Sequence, residues 1–158
     1  MKIAYFAGGC FWCITPVFSE TPGVLSVTSG YCGGDEAYPR YEDVKSQATG
    51  HRETVMIEYD ESKLSYSSLI EIFFNNVDIK DDGGQYIDRG RSYTLAVYYT
   101  SEEEKEAVLS KIRQLECENT VSSEAYKRFY PAEEYHQNFY LKEPELFEKE
   151  MKTSGRKK

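Results

Sequence analysis

Strand-like and helix-like hydrophobic patterns alternate along this chain in a set order, and that order restricts the fold more than any other feature. Residues 3–7 (IAYFA) form an apolar run stopped by Gly8 and Gly9, which predicts a short strand. Residues 11–18 are expected to open a helix, with Pro16 in its first turn, where a missing amide costs little. Gly23 closes it. Residues 24–31 are rich in β-branched side chains, and residues 53–60 alternate with Val55, Ile57 and Tyr59 on one face, so both predict strands. Tyr66, Leu69, Ile70, Phe73 and Val77 fall at helical spacing, giving an amphipathic helix over 65–77. Residues 93–99 alternate again. Ser101 and Glu104 then make a capping box for a helix over 102–116, with Val108, Ile112 and Leu115 as its buried stripe. The order βαββαβ followed by a helix predicts an α+β fold of the ferredoxin-like kind. This is a two-layer sandwich, a mainly antiparallel sheet with helices on one face, here with a C-terminal extension.

Two stretches have no period. Residues 35–50 and 78–91 read as long loops, and a long loop in a compact domain is usually functional. A chain of 158 residues suits one domain with a real core, expected over 1–150, with 151–158 as a flexible basic tail. The net charge of −8 repels phosphate backbones and anionic headgroups, which argues against nucleic acid and membranes as partners. No apolar stretch approaches a membrane span, and the run before Cys10 is too short for a signal-peptide core. A cytoplasmic location is therefore expected.

Four cysteines, Cys10, Cys13, Cys32 and Cys117, are too few for a secreted disulfide framework and read first as catalytic, redox or metal-binding. Zinc lacks a second ligand pair, so no metal is expected. Cys10 follows strand and Gly-Gly and opens a helix, where free amides and the helix dipole favour a thiolate. A reactive thiol is the better reading than a buried hydrophobe. The pair Cys10 and Cys13 also fits a thiol–disulfide oxidoreductase, although the element order does not. Phe11 and Trp12 between them offer an apolar wall suited to a thioether or methyl group. A third reading is a cysteine-bearing binding module for methionine-rich peptides.

Further motifs accompany the first: Gly30-Tyr31-Cys32-Gly33-Gly34, Tyr41 ahead of Val44, Gly50-His51-Arg52-Glu53, Gly84-Gln85, Asp88-Arg89-Gly90-Arg91-Ser92-Tyr93, and YPAEEYHQ at 130–137. Together with Gly9-Cys10-Phe11-Trp12 they resemble the peptide methionine sulfoxide reductase A family, from residue 3 to about 140. The resemblance implies an enzyme that reduces the S epimer of methionine sulfoxide, free or in peptides and proteins, as a repair of oxidative damage, with no cofactor. It implies that Cys10 attacks the sulfoxide sulfur and that Glu53 protonates the oxygen. Tyr41 and Tyr93 would hydrogen-bond that oxygen, Phe11 and Trp12 would hold the S-methyl group, and Asp88 would help position the substrate. Cys10 would be left as sulfenic acid, and a second thiol would close a disulfide for thioredoxin or a similar reductant to open.

The chemistry asked of these residues is consistent. A sulfoxide sulfur becomes electrophilic as its oxygen is neutralised, so the site needs a soft nucleophile and a protonated acid. A glutamate shielded by aromatics has a raised pKa and serves as that acid, and phenols stabilise charge developing on oxygen. The chain departs from the family in its ending, EKEMKTSGRKK, which lacks the C-terminal cysteine of many members. Recycling then falls to Cys13, Cys32, Cys117 or an external thiol. Cys13 is preferred because it lies one helical turn from Cys10, with Cys32 in a glycine-rich loop as competitor. Thr15 and Thr94 replace residues common in the family, and neither is assigned to the chemistry. His51 and His136 receive no catalytic role.

Overall fold

The computed structural model describes residues 1–154. Its main sheet is built from β1 (Lys2–Gly8), β2 (Val24–Cys32), β3 (Arg52–Tyr59), β6 (Leu95–Tyr99), β7 (Val121–Ala125) and β8 (Phe129–Pro131). Across the sheet they run β7-β6-β1-β3-β2-β8. Every neighbouring pair is antiparallel except β6 with β7, which is parallel. All seven expected elements thus hold in kind: β1, β2, β3, β6 and the helices α1 (Phe11–Ser19), α3 (Tyr66–Asn75) and α4 (Glu102–Gln114). The Ser101 hydroxyl caps α4 by accepting from the Glu104 amide (3.2 Å), and Glu104 returns the contact to the Thr100 amide (2.9 Å).

Side-chain alternation splits the sheet into two faces. On one, Ala4, Phe6, Val55, Ile57, Leu95 and Val97 pack against Phe11, Ile14 and Phe18 of α1 (Phe11–Ser19), Leu69 and Phe73 of α3, and Val108 and Ile112 of α4. On the other, Tyr5, Ala7, Cys32, Ala96 and Tyr98 are covered by Phe129 of β8 and by Tyr126, which follows β7. The fold is mixed α+β with a mainly antiparallel sheet.

Several expectations need correction. Pro16 lies inside α1 and not in its first turn. In the preceding turn the Thr15 hydroxyl donates to the Phe11 carbonyl (2.6 Å). The last strand starts at Leu95, and Tyr93 belongs to a 3₁₀ turn over Arg91–Tyr93. Both long loops contain structure: a one-turn helix α2 (Tyr41–Lys45) in the first, and the hairpin β4 (Gly84–Gln85) with β5 (Asp88–Arg89) in the second. The C-terminal part adds β7, β8, α5 (Phe139–Lys142) and α6 (Pro144–Ser154). Helix α6 therefore takes in the first residues of the expected tail, and 155–158 lie outside the described residues.

Candidate active site

Cys10 is the N-cap of α1, and its carbonyl accepts from the amides of Cys13 (3.1 Å) and Ile14 (3.3 Å). The turn is held from below by Glu53, whose Oε1 accepts from the Phe11 amide (3.1 Å). Glu53 belongs to the start of β3, paired with Tyr31 of β2. Antiparallel partners share a face, so Tyr31 and Glu53 both project toward α1, while Cys32 and Arg52, the next pair, project to the other face. Glu53 is 1 % exposed, and its Oε2 has no hydrogen-bond partner among the described residues.

Aromatic side chains pack around this turn. Phe11 packs on Tyr31, Tyr41 and His136 at ring separations of 5.8, 6.4 and 5.2 Å. Trp12 stacks on Phe139 of α5 at 4.1 Å, and its indole N–H donates to His136 Nδ1 (2.9 Å). That bond makes Nδ1 the acceptor and leaves the imidazole proton on Nε2. Tyr41 opens α2, and Glu133 fixes it there. One carboxylate oxygen accepts from the Tyr41 amide (3.0 Å), the other from the Tyr31 hydroxyl (2.8 Å).

The electrostatics follow from this enclosure. Burial, with Asp88 adding to it, pushes Glu53 up to about 8, against the pull of the Phe11 amide and Tyr93. Glu53 is therefore protonated at neutral pH. Burial, and the ionised Glu53 and Cys10 at the high pH where phenols titrate, likewise raise Tyr41 and Tyr93, so both phenols keep their protons as donors. Cys10 departs from expectation. A hydrogen bond with the Cys13 thiol, burial, and the nearby Cys13, Glu53 and Asp88 hold it well above its ordinary value. Cys10 is therefore held as a thiol, against the thiolate that a helix N-terminus alone predicts.

The other cysteines separate clearly. Cys13 is 2 % exposed and borders a recess of about 180 Å³ with Val17, Asn75, Asn76, Val77, Tyr86 and Met151. Cys32 is not in a flexible loop. It ends β2, is fully buried on the opposite face, and burial pushes it up to about 12. Cys117 sits in the core, its thiol directed at the Ile112 carbonyl (3.8 Å).

A sequence profile described as peptide methionine sulfoxide reductase matches residues 2–158. The chain belongs to that family. The reductase named MsrA from Bacillus subtilis (strain 168) is 44 % identical over 161 residues, covering 98 % of this chain and 91 % of that protein. MsrA of Picrophilus torridus is 43 % identical over 148 residues, covering 90 % and 84 %. Among solved structures, reduced Mxr1 from Saccharomyces cerevisiae superposes with a TM-score of 0.83 at 25 % identity, covering 91 % of this chain and 86 % of that one. Methionine sulfoxide reductase A of Corynebacterium diphtheriae gives 0.79 at 24 %, covering 90 % and 75 %.

For a peptide methionine sulfoxide reductase the arrangement is chemically coherent. Cys10, Phe11, Trp12, Tyr41, Glu53, Asp88 and Tyr93, drawn from separate segments of the chain, come together through ring contacts, the Phe11–Glu53 bond and shared electrostatics. Cys13 joins them through its bond to Cys10. Sequence reasoning missed the parts played by Tyr31 and Glu133, while His136 is the hydrogen-bonded packing residue it was expected to be. The signal for Glu133 lay in the YPAEEYHQ run, but its partners are about a hundred residues away. His51 is structural: Nδ1 accepts from the Gly34 amide (3.2 Å) and Nε2 donates to the Glu36 carbonyl (2.8 Å). Among the described residues no cluster of three or more His, Cys, Asp or Glu side chains is placed to hold a metal, and no helix is long and apolar enough to cross a membrane.

Proposed function

We propose that the chain reduces the S epimer of methionine sulfoxide, free and in proteins, with the roles distributed as follows. Cys10 sulfur attacks the sulfoxide sulfur while Glu53 delivers a proton to the oxygen and Tyr41 and Tyr93 donate hydrogen bonds to it. Phe11 and Trp12 hold the methyl group, and Asp88 positions the substrate. In sum, sulfoxide and Cys10 thiol give methionine and Cys10 sulfenic acid, the oxygen passing from one sulfur to the other. The Cys13 thiol then displaces that oxygen as water and forms the Cys10–Cys13 disulfide. A dithiol reductant takes up the oxidation and returns both thiols.

The observation that carries this reading is Glu53: an acid pushed up to about 8 by burial, with one oxygen unpartnered among the described residues, beside the Cys10 thiol. Dithiol exchange alone has no use for such a group. Thioredoxin is proposed as the reductant, supported by a structure of yeast Mxr1 described as in complex with Trx2. We further read residues 1–150 as a single catalytic domain and its strand order β6-β1-β3-β2, with helices against one face, as the ferredoxin-like sandwich. A cytoplasmic site of action follows from the cysteine usage.

The test is Cys10→Ser. A serine hydroxyl is a poor nucleophile toward sulfur, so this variant should release no methionine from the S sulfoxide, and the parent should leave the R sulfoxide untouched. Turnover by Cys10→Ser would remove Cys10 as nucleophile.

A further inference from the structure

Tyr41 stands on an element with little beneath it. Helix α2 has five residues, of which only Val44 is buried, and one turn of helix does not hold itself in water. Two side-chain clasps hold it instead. Glu133 grips its first amide. Just past its end, Gln47 reaches to the turn that carries Tyr93: its Oε1 accepts from the Ser92 amide (3.0 Å), and its Nε2 donates to the Ser92 hydroxyl (2.8 Å) and the Lys45 carbonyl (3.0 Å).

The clasp is built into the backbone on both sides. Gln47 has φ of 67°, in the left-handed region, and such residues persist where their neighbours over-determine them. Opposite it stands Gly90, with φ of 112°, and a Cβ there would meet the Gln47 carboxamide at 2.6 Å. Position 90 thus has room for the clasp only as glycine.

Residues 47 and 92 lie in the two segments that deliver Tyr41 and Tyr93. We infer that Gln47 is a positioning residue that sets the distance between the Tyr41 and Tyr93 hydroxyls, and so their joint grip on the sulfoxide oxygen. The inference rests on the reading of those two tyrosines given above. Hydrogen bonds weaken steeply with misdirection, and a shift of about 1 Å from a remote change can cost about a hundredfold in rate. Gln47 need not touch substrate to matter.

The experiment is a double-mutant cycle on single-turnover methionine release. Gln47→Gly removes the clasp and leaves a residue at ease at that φ, and Tyr41→Phe removes one hydroxyl. Gln47→Gly should cost about tenfold with Tyr41 present and less than about twofold in the Tyr41→Phe background, because with one phenol left the spacing no longer matters. Equal losses in both backgrounds, or no loss in either, overturn the inference while leaving the tyrosines in place. A Tyr41→Phe variant that releases methionine at the parent rate overturns the role of Tyr41 itself. Should Gln47→Gly fail to unfold cooperatively, Ser92→Ala takes its place in the cycle. That change deletes only the hydroxyl half of the clasp: a loss confined to the Tyr41 background supports the positioning role, and an equal loss in both backgrounds overturns it.

Discussion

Glu53 shows what a single residue contributes to this site. Its carboxyl is raised from 4.5 to about 8 in the fold, so the folded protein keeps a proton that the unfolded chain releases. The stability from that retained proton is fully present below about 4.5 and is lost as pH rises to about 8. Glu53→Gln removes this dependence while keeping an acceptor for the Phe11 amide. In urea unfolding the variant should gain on the parent steadily from pH 5 to pH 8, and parallel curves would contradict the buried neutral acid. Its chemical step should fall by about a hundredfold to ten-thousandfold, the usual range for a lost general acid. Cys13 gives a second residue-level expectation, since it is hydrogen-bonded to Cys10 while Cys32 faces the far side of the sheet. Cys13→Ser should still release one methionine per enzyme and then stall, whereas Cys32→Ser should recycle normally. Mass mapping of the disulfide after one turnover decides between them.

At the scale of elements, the edge pair β2 and β8 does more than extend the sheet. It brings the 130–137 run back to the site, where Glu133 binds both Tyr31 and Tyr41 and His136 receives the Trp12 N–H. Gln137 locks the return by accepting from the Ser29 amide (2.8 Å) and donating to the Ser29 and Ala132 carbonyls (2.9 and 3.0 Å). The close approach depends on Gly30, because a Cβ there would overlap the Phe129 ring and meet the Tyr130 carbonyl oxygen at 2.5 Å. Gly30→Ala should therefore push β8 off β2, at about 1–3 kcal/mol of stability, the usual range for overpacking. It should also lower methionine release by loosening Tyr41 and Trp12. Chemical denaturation and single-turnover kinetics on the same preparation check both parts. Loss of stability with an unchanged rate would separate β8 from the site.

At the scale of the molecule, the core and the site share their parts. Phe11 belongs to the helix-side core and also packs on Tyr41 and bonds Glu53 through its amide, and Tyr31 joins that core to Glu133. A site assembled this way has no reason to melt apart from the fold. Trp12 is the single tryptophan of the chain and packs beside Tyr41 and His136, so its fluorescence reports the site while far-ultraviolet circular dichroism reports the sheet and helices. The two unfolding curves should coincide, as expected of one cooperative domain. An earlier fluorescence transition would divide the site from the scaffold.

What the sequence determined by itself was whatever rests on local periodicity and on motif chemistry. Strands β1, β2 and β3 and helices α3 and α4 follow from alternation, helical spacing and a capping box, because each such signal lies within about a dozen residues. Cys10, Glu53 and the phenols Tyr41 and Tyr93 were legible as candidate residue types in separated motifs. Apart from α6, the elements it missed are short and stabilised from outside. Helix α2 depends on Glu133 and Gln47, and β8 on pairing with β2. No five-residue window carries that information. The protonation state of Cys10 was decided by tertiary structure too. A helix N-terminus predicts a thiolate, but burial beside Cys13, Glu53 and Asp88 reverses it, and Glu53 and Asp88, dozens of positions along the chain, are brought there by the fold and not by the local sequence. The fate of Cys32 turned on one residue of strand register: Tyr31 faces Glu53, so Cys32 faces away, since successive side chains on a strand point to opposite sides.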